Sequence, residues 1–219
     1  MRITIAQVNP VVGDLNGNLK RLEQIMEEKA GSTDLLVLPE LYLTGYPPLG
    51  LLAKEWFRRQ TAEQFGRLAK LSANFPQTGI LVGAPTPVPL EQGGGWYNTG
   101  LLFAGGKLLF TQDKTFLPPY DFFNEASYFR PGVAVKTVNF KGMNLAVLVG
   151  EDLWNAALTP PVDLIINLGA YPFYAGWEEK VFRLGAECAR RHQTALLMVN
   201  QIGGNDEIIF HGESLFFDR

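Results

Sequence analysis

The sequence predicts one layered α/β domain in which buried strands are covered by amphipathic helices. Short continuous apolar runs, such as residues 34–40 and 79–85, are typical of strands that are buried on both faces. Apolar residues at helical spacing between these runs predict helices that cover the strands. The chain has 219 residues, of which 47% are hydrophobic, and this is enough for one full core. We therefore expect a single domain over residues 1–219.

In the first half of the chain, predicted strands alternate with predicted helices. The first helix carries one apolar stripe, formed by Leu15, Leu19, Leu22, Ile25 and Met26. Residues 96–114 predict a hairpin, because Gly105 and Gly106 form a tight turn between two apolar runs. The remaining elements are predicted as strands at 3–9, 34–40 and 79–85 and a helix at 54–74.

The second half predicts a further set of strands and one long helix. The helix spans residues 176–192 and turns Val181, Leu184 and Cys188 inward. Strands are predicted at 134–139, 143–149 and 163–168, a buried strand at 194–200 and an outer strand at 207–217. The chain ends at Arg219, directly after that strand, so we expect the last strand to be an edge or to pair with something beyond this chain.

Composition argues against several classes of function. The net charge is -3, and the nearest approach to a basic patch is the stretch 190–192, so we expect no nucleic-acid partner. No apolar run is long enough for a membrane span, and the N-terminus lacks the pattern of a signal peptide. The single Cys excludes an internal disulfide, and one Cys with two distant His argues against a zinc site. We expect a cytoplasmic protein without a metal or cofactor.

Two predicted strands end in residues that could carry chemistry. Glu40 follows a very apolar strand, where desolvation raises a carboxyl pKa toward the range that suits a general base. The alternative for Glu40 is a capping or surface acid. Lys114 ends the hairpin and could stabilise an oxyanion, with Glu125 holding it charged and oriented. The alternative for Lys114 is an exposed lysine at the end of a strand.

A third predicted strand ends in "VLVGEDLW". In an amide-cleaving site built on Glu and Lys, this strand end would carry the nucleophile, ideally a Cys or Ser. The residue at that position is Gly150. A glycine at a strand end is most often a turn residue, so the sequence leaves open whether this position has a chemical role.

Several motifs in order carry a resemblance to a known family. These are "PELYLTGYPP", "DKTFLPPYDFFNE", "EDLW" and "NQIGGNDEIIFHGES". The chain resembles the N-terminal glutaminase domains of glutamine-dependent NAD synthetases, which belong to the nitrilase, or carbon–nitrogen hydrolase, superfamily. The resemblance extends over essentially the whole chain. It implies a nitrilase-like α-β-β-α sandwich of two mixed sheets flanked by helices.

The resemblance also implies a mechanism with a Glu-Lys-Cys triad. The Cys attacks the glutamine side-chain amide, the Glu accepts a proton, the Lys steadies the oxyanion, and ammonia leaves. Glu40 then matches the general base, Lys114 matches the lysine, and Gly150 stands where the Cys would be. The motifs further imply supporting roles for Glu125 and Glu151. They imply substrate-binding positions at Tyr120, Trp154, Gly169 and Tyr171.

Other positions depart from the family pattern as well. Gly169 and Tyr171 replace small hydroxyl residues, and the large Tyr171 could fill the substrate pocket. Trp177 stands where the family has a basic residue. Cys188 lies on the inward stripe of a helix, so we interpret it as a small buried hydrophobe and not as a substitute nucleophile. No pyrophosphate-binding loop of the SGGxDS type is present, and the glycines at 93–95 are interpreted as a flexible turn.

Three hypotheses follow from these motifs. The first is a hydrolytically silent pseudoenzyme or scaffold that forms homo-oligomers. The second is an active amidase on a different small amide, in which Glu40 activates water. The third is a truncated or engineered piece of a functional synthetase that lacks its C-terminal extension and synthetase domain. A glutamine-like amide, if a pocket remains, and an NAD synthetase domain or subunit are the partners that the resemblance implies.

Overall fold

Two five-stranded sheets stack face to face, and helices cover their outer faces. The computed structural model describes residues 1–118, 124–158 and 161–219. Within these residues the architecture is a four-layer α-β-β-α sandwich, which confirms the predicted fold class. No helix in these three ranges combines the length and apolar character that a membrane crossing requires.

The first sheet has its strands in the order β1-β2-β3-β4-β5. The first three strands are parallel, and β4 and β5 continue the sheet as antiparallel neighbours. Because β4 is antiparallel to β3 and β5 is antiparallel to β4, β5 runs in the same direction as β2. The carboxyl ends of β2 and β5 therefore lie at the same edge of the sheet. The strands are β1 (Ile3–Ile5), β2 (Leu35–Val37), β3 (Gly79–Pro87), β4 (Trp96–Ala104) and β5 (Lys107–Asp113).

The second sheet has the order β12-β9-β8-β7-β6. Its three central strands are parallel, and both outer strands are antiparallel to them. A separate two-stranded hairpin pairs β10 with β11. The strands are β6 (Thr137–Phe140), β7 (Met143–Val149), β8 (Leu164–Gly169), β9 (Ala195–Asn200), β10 (Ile202–Asn205), β11 (Ile208–His211) and β12 (Leu215–Phe217).

The α-helices of the described residues form the outer layers. The predicted stripe of α1 is buried against the first sheet together with one face of α2. Helix α4 packs on the second sheet, where Val181 and Cys188 are buried. The helices are α1 (Leu15–Lys29), α2 (Glu55–Asn74), α3 (Asp152–Asn155) and α4 (Trp177–His192). A third apolar cluster, between the two sheets, joins them into one core.

Some predicted elements differ from the observed ones, and the strands predicted at 34–40 and 134–139 are observed only over Leu35–Val37 and Thr137–Phe140. The strand predicted at 3–9 is paired only over Ile3–Ile5. The outer strand predicted at 207–217 is divided into β11 and β12, because Gly212 and Glu213 have φ values of +71° and +51°, which interrupt the extended backbone between the two strands. In α4, Leu184 is only half-buried, whereas its neighbour Gly185 is buried against the Phe217 ring.

Gly83 in β3 allows the loop that carries Glu40 to pack directly on the first sheet. A Cβ atom at Gly83 would lie 2.4 Å from the Leu41 nitrogen and 2.5 Å from the Pro39 oxygen. The backbone of Gly83 also donates a hydrogen bond of 3.2 Å to Pro39 O and accepts one of 3.1 Å from Leu43 N. The position of Glu40 therefore depends on the absence of a side chain at residue 83.

We expect Gly83→Ala to destabilise the domain by about 1–3 kcal/mol, because the added methyl group must displace backbone atoms. Gly66→Ala is the matched control. Gly66 is exposed in α2 with no atom near its Cβ position, and the substitution should stabilise the helix by roughly 0.5–1 kcal/mol. Urea unfolding of the three proteins measures both effects. Equal stability of Gly83→Ala and the wild type would contradict the close packing.

Candidate active site

The strand ends singled out in the sequence meet in one buried cluster. Glu40 follows β2, Lys114 follows β5, and Gly150 follows β7. Glu40 is 2% exposed and Lys114 is fully buried, so neither is the surface residue that the alternative interpretation required. The Lys114 ammonium lies at the centre of the cluster and joins the two sheets at this edge.

Three carboxylates surround the Lys114 ammonium. The Lys114 Nζ lies 2.9 Å from Glu40 Oε1, 2.8 Å from Glu125 Oε2 and 2.6 Å from Glu151 Oε2. Glu125 begins a short 3₁₀ turn after the undescribed residues 119–123, and Glu151 follows Gly150. The structure thus brings together four of the predicted residues as one ion cluster.

Three further residues hold the cluster in place and were missed by the sequence analysis. Asn98 Nδ2 donates to Glu40 Oε1 at 2.7 Å, and Tyr46 OH donates to Glu125 Oε1 at 2.8 Å. Asp152 accepts hydrogen bonds from Thr115 N and Oγ1 and from Phe116 N at 2.7–2.8 Å, which fixes the chain after Lys114. Two features of the sequence could have indicated these residues: the polar Asn98 in the buried strand β4, and Asp152 as the second acid of "EDLW".

The charges of the cluster are strongly coupled. Burial raises the pKa of Glu40 to about 8, although the Lys114 ammonium opposes this shift. Burial also raises the pKa of Glu125, again against the effect of Lys114. Burial lowers the pKa of Lys114, but the neighbouring carboxylates outweigh it and hold that pKa well above its usual value. Lys114 is therefore charged at neutral pH, and Glu40 holds its proton to a higher pH than an ordinary carboxyl group does.

Gly150 faces this cluster from the end of β7. Its φ is +50°, a left-handed conformation that favours glycine, and its nitrogen donates to Leu168 O at 2.7 Å. A Cβ atom at this position would lie 2.5 Å from Lys114 Nζ and 2.8–2.9 Å from the carboxylate oxygens of Glu40. Any side chain at residue 150 would therefore point at the Lys114 ammonium and the Glu40 carboxyl group.

Tyr171 packs beside Gly150 and Gly169. It is 2% exposed, and its hydroxyl lies 2.7 Å from Gly150 O and 2.9 Å from Asn167 Oδ1. Asn167 Nδ2 donates to the same Gly150 oxygen at 2.9 Å. A Cβ atom at Gly169 would lie 2.6 Å from the Tyr171 ring, so the ring occupies the space that a side chain at residue 169 would need.

The other predicted positions have different environments. Trp177 is buried with its ring centroid 5.3 Å from that of Tyr171. Trp154 is half-buried on α3, and its ring centroid lies 6.3 Å from that of Phe116. Tyr120 lies outside the described residues. The Cys188 thiol is buried in the core beneath α4, and this burial raises its pKa to about 11, so its interpretation as a buried hydrophobe is confirmed.

Comparison with known sequences places the chain in a family. A family model described as "Carbon-nitrogen hydrolase" matches residues 2–219. The chain therefore belongs to the carbon–nitrogen hydrolase family, and this confirms the resemblance inferred from the motifs. Among curated relatives, the glutamine-dependent NAD(+) synthetase of Thermotoga maritima is 33% identical to this chain over 100% of the chain's length. The glutamine-dependent NAD(+) synthetase of Synechocystis sp. is 32% identical over 97% of the chain's length. The chain spans only 38% and 41% of their lengths.

Solved structures share the fold. The glutamine-dependent NAD+ synthetase from Acinetobacter baumannii has a TM-score of 0.86 and 24% identity, over 99% of this chain and 41% of that chain. An amidase from Nesterenkonia sp. has a TM-score of 0.82 and 21% identity. That match covers 100% of this chain and 82% of the amidase chain. At these identities the likeness is one of fold.

The raised pKa of Glu40 predicts that the domain loses stability as the pH rises. Between the ordinary carboxyl pKa of 4.5 and the folded value of about 8, the native state holds a proton that the unfolded chain has released. The unfolding free energy should therefore fall from pH 5 to pH 8. Glu40→Gln cannot lose that proton, so its unfolding free energy should fall less over this range.

Urea unfolding at several pH values measures this difference. Glu63→Gln, an exposed site on α2, is the control and should keep the wild-type dependence on pH. Parallel curves for the wild type and Glu40→Gln would show that the carboxyl group of Glu40 is ionised at ordinary pH.

Proposed function

We propose that this carbon–nitrogen hydrolase domain is hydrolytically silent toward glutamine. The observation that carries the proposal is the orientation of Gly150, whose missing side chain would point at Lys114 and Glu40. In the family mechanism this is the position of the attacking thiol, and glycine has no atom that can form a thioester. Loss of a covalent nucleophile typically lowers turnover by about 10⁶-fold.

The environment of Tyr171 supports the same proposal. Its hydroxyl and ring contact the residues at 150 and 169, where the family would have a nucleophile and a small hydroxyl side chain. Tyr171 thereby fills the space beside Gly169 and holds the carbonyl group of Gly150. The departures from the family pattern thus act together, as expected of a site that no longer turns over glutamine.

A silent domain can retain its charged residues for a structural reason. Removing one partner of a buried ion pair typically costs about 3–5 kcal/mol, because the remaining charge is left unpaired. Lys114, Glu40 and Glu125 are all buried, and both carboxylates contact the ammonium. Their retention therefore needs no catalysis, and the domain would serve as a scaffold that assembles with copies of itself or with an NAD synthetase domain.

We expect that purified wild-type protein shows no release of ammonia whose rate saturates with glutamine concentration, because no side chain is available to attack the amide. A coupled ammonia assay over a range of glutamine concentrations measures this. Lys114→Met, which removes the oxyanion-stabilising charge, is the baseline control. Saturable release by the wild type that Lys114→Met abolishes would overturn the proposal.

Restoring the nucleophile tests whether Tyr171 obstructs the site. We expect Gly150→Cys alone to remain inactive, because the tyrosine ring and hydroxyl still occupy the adjoining space. The double variant Gly150→Cys with Tyr171→Ser should gain ammonia release and label with a thiol-reactive amide analogue. Equal activity of the single and double variants would show that Tyr171 does not obstruct the site.

A second candidate function is amide hydrolysis by water that Glu40 activates. The contact of 2.9 Å between Glu40 and Lys114, beside a residue without a side chain, favours it. Because the pKa of Glu40 is raised to about 8, such activity should increase with pH through that value and disappear in Glu40→Gln. A screen of small amides at pH 6 and pH 9 separates this function from the silent domain.

A third candidate is a role as the ammonia-supplying part of a longer synthetase. The coverage of only 38% and 41% of the two curated relatives favours it. A reading frame that continues from Arg219 into a synthetase domain would support this role, and a stop codon at that point would rule it out.

A further inference from the structure

A second cluster of metal-ligating side chains lies outside the candidate active site. It consists of Glu178 in the first turn of α4, His211 at the end of β11, and Glu213 in the turn before β12. One ligand atom from each residue lies within 4.8 Å of the other two. The scarcity of Cys and His argued against a zinc site, but the fold brings two carboxylates to His211.

His211 is the most constrained member of this cluster. Its side chain is only 10% exposed, and its ring stacks on Phe173 with centroids 5.4 Å apart and planes inclined by 11°. Its backbone nitrogen donates to Tyr171 O at 3.2 Å. The ring is thereby oriented with Nε2 in contact with Glu213 Oε2 and 4.0 Å from Glu178 Oε1.

The charges of the cluster favour a cation. Among the described residues, neither Glu178 nor Glu213 has a Lys or Arg partner within 4.0 Å, so two carboxylates face one imidazole. Glu178 lies at the positive end of the α4 dipole, where a negative charge is favourable. A divalent ion would offset the negative charge of the two carboxylates.

We propose that Glu178, His211 and Glu213 bind a divalent transition-metal ion, with water completing the coordination. Zinc lies about 2.0–2.2 Å from nitrogen and oxygen ligands, so two ligand atoms in a tetrahedral site are roughly 3.4 Å apart. To close the site, the Glu213 carboxylate must move away from His211 Nε2 and the Glu178 carboxylate must move toward it, and both side chains are exposed enough to do so. The imidazole ligand favours Zn²⁺ over Mg²⁺ or Ca²⁺, which prefer oxygen ligands alone.

The ion would brace the segment that holds Tyr171. The chain from Tyr171 to Glu178 is already fixed to β11 by the bonds from Phe173 N to Ile209 O and from His211 N to Tyr171 O. A metal bound to Glu178, His211 and Glu213 would fix the second end of this segment, at Glu178, while the hydrogen bonds to β11 fix the first end, at Tyr171 and Phe173. The site is structural and does not include any residue of the Lys114 cluster.

Zn²⁺ titration of the untagged, chelator-treated 219-residue chain tests the proposal. Calorimetry should show one saturable site, the melting temperature should rise, and the ring resonances of His211 should shift in NMR spectra while those of His192 do not. These are the only two histidines in the sequence, so the assignment is direct. No saturable binding at millimolar Zn²⁺ would overturn the proposal, as would equally tight binding of Mg²⁺.

Matched variants localise the site. His211→Asn and Glu213→Gln should each weaken Zn²⁺ binding by more than about 100-fold, since even the loss of an outer-shell partner costs roughly 10–100-fold. Glu179→Gln changes the neighbouring residue on α4, outside the cluster, and should leave the affinity unchanged. Unchanged affinity in both His211→Asn and Glu213→Gln, or equal losses in Glu178→Gln and Glu179→Gln, would contradict the assignment.

Discussion

The burial of one ammonium group, that of Lys114, is the constraint on which the arrangement of this domain depends. A charged side chain that is removed from water must be paired and hydrogen-bonded. Here its partners come from the loops after β2 and β7 and from the turn at Glu125, so the two sheets must meet at one edge to provide them. Asn98 and Tyr46 add hydrogen bonds to the carboxylates of Glu40 and Glu125.

The residues around Gly150 are physically connected. Gly150 and Gly169 are both positions where an added Cβ atom would collide with a neighbouring group, the Lys114 cluster in one case and the Tyr171 ring in the other. The Tyr171 hydroxyl and the Asn167 amide converge on the Gly150 carbonyl. A substitution at one of these residues therefore changes the space and hydrogen bonding of the others, and their effects are not independent.

A charged framework of this kind has two separate properties, one structural and one catalytic. The structural property is the mutual satisfaction of buried charges, which requires Lys114 and its carboxylates but no nucleophile. The catalytic property requires an attacking atom next to them. The motifs "PELYLTGYPP" and "DKTFLPP" contain Glu40 and Lys114, which contribute to the structural property. In the function proposed above, the residue before "EDLW" bears on the second property, and in this chain that residue is Gly150.

The sequence by itself determined the layered α/β class, the apolar stripes of the helices and the family, because these depend on local periodicity and ordered motifs. It also singled out Glu40 and Lys114, which stand at strand ends, and Glu125, which lies eleven residues after Lys114. Only the tertiary structure decided that Glu151 contacts Lys114, that Asn98 and Tyr46 orient the carboxylates, and that Tyr171 reaches Gly150. These contacts join residues from separate elements, and their distances depend on strand order and on the packing of the two sheets. The same reason explains why Glu178, His211 and Glu213 form a cluster that no sequence spacing indicates.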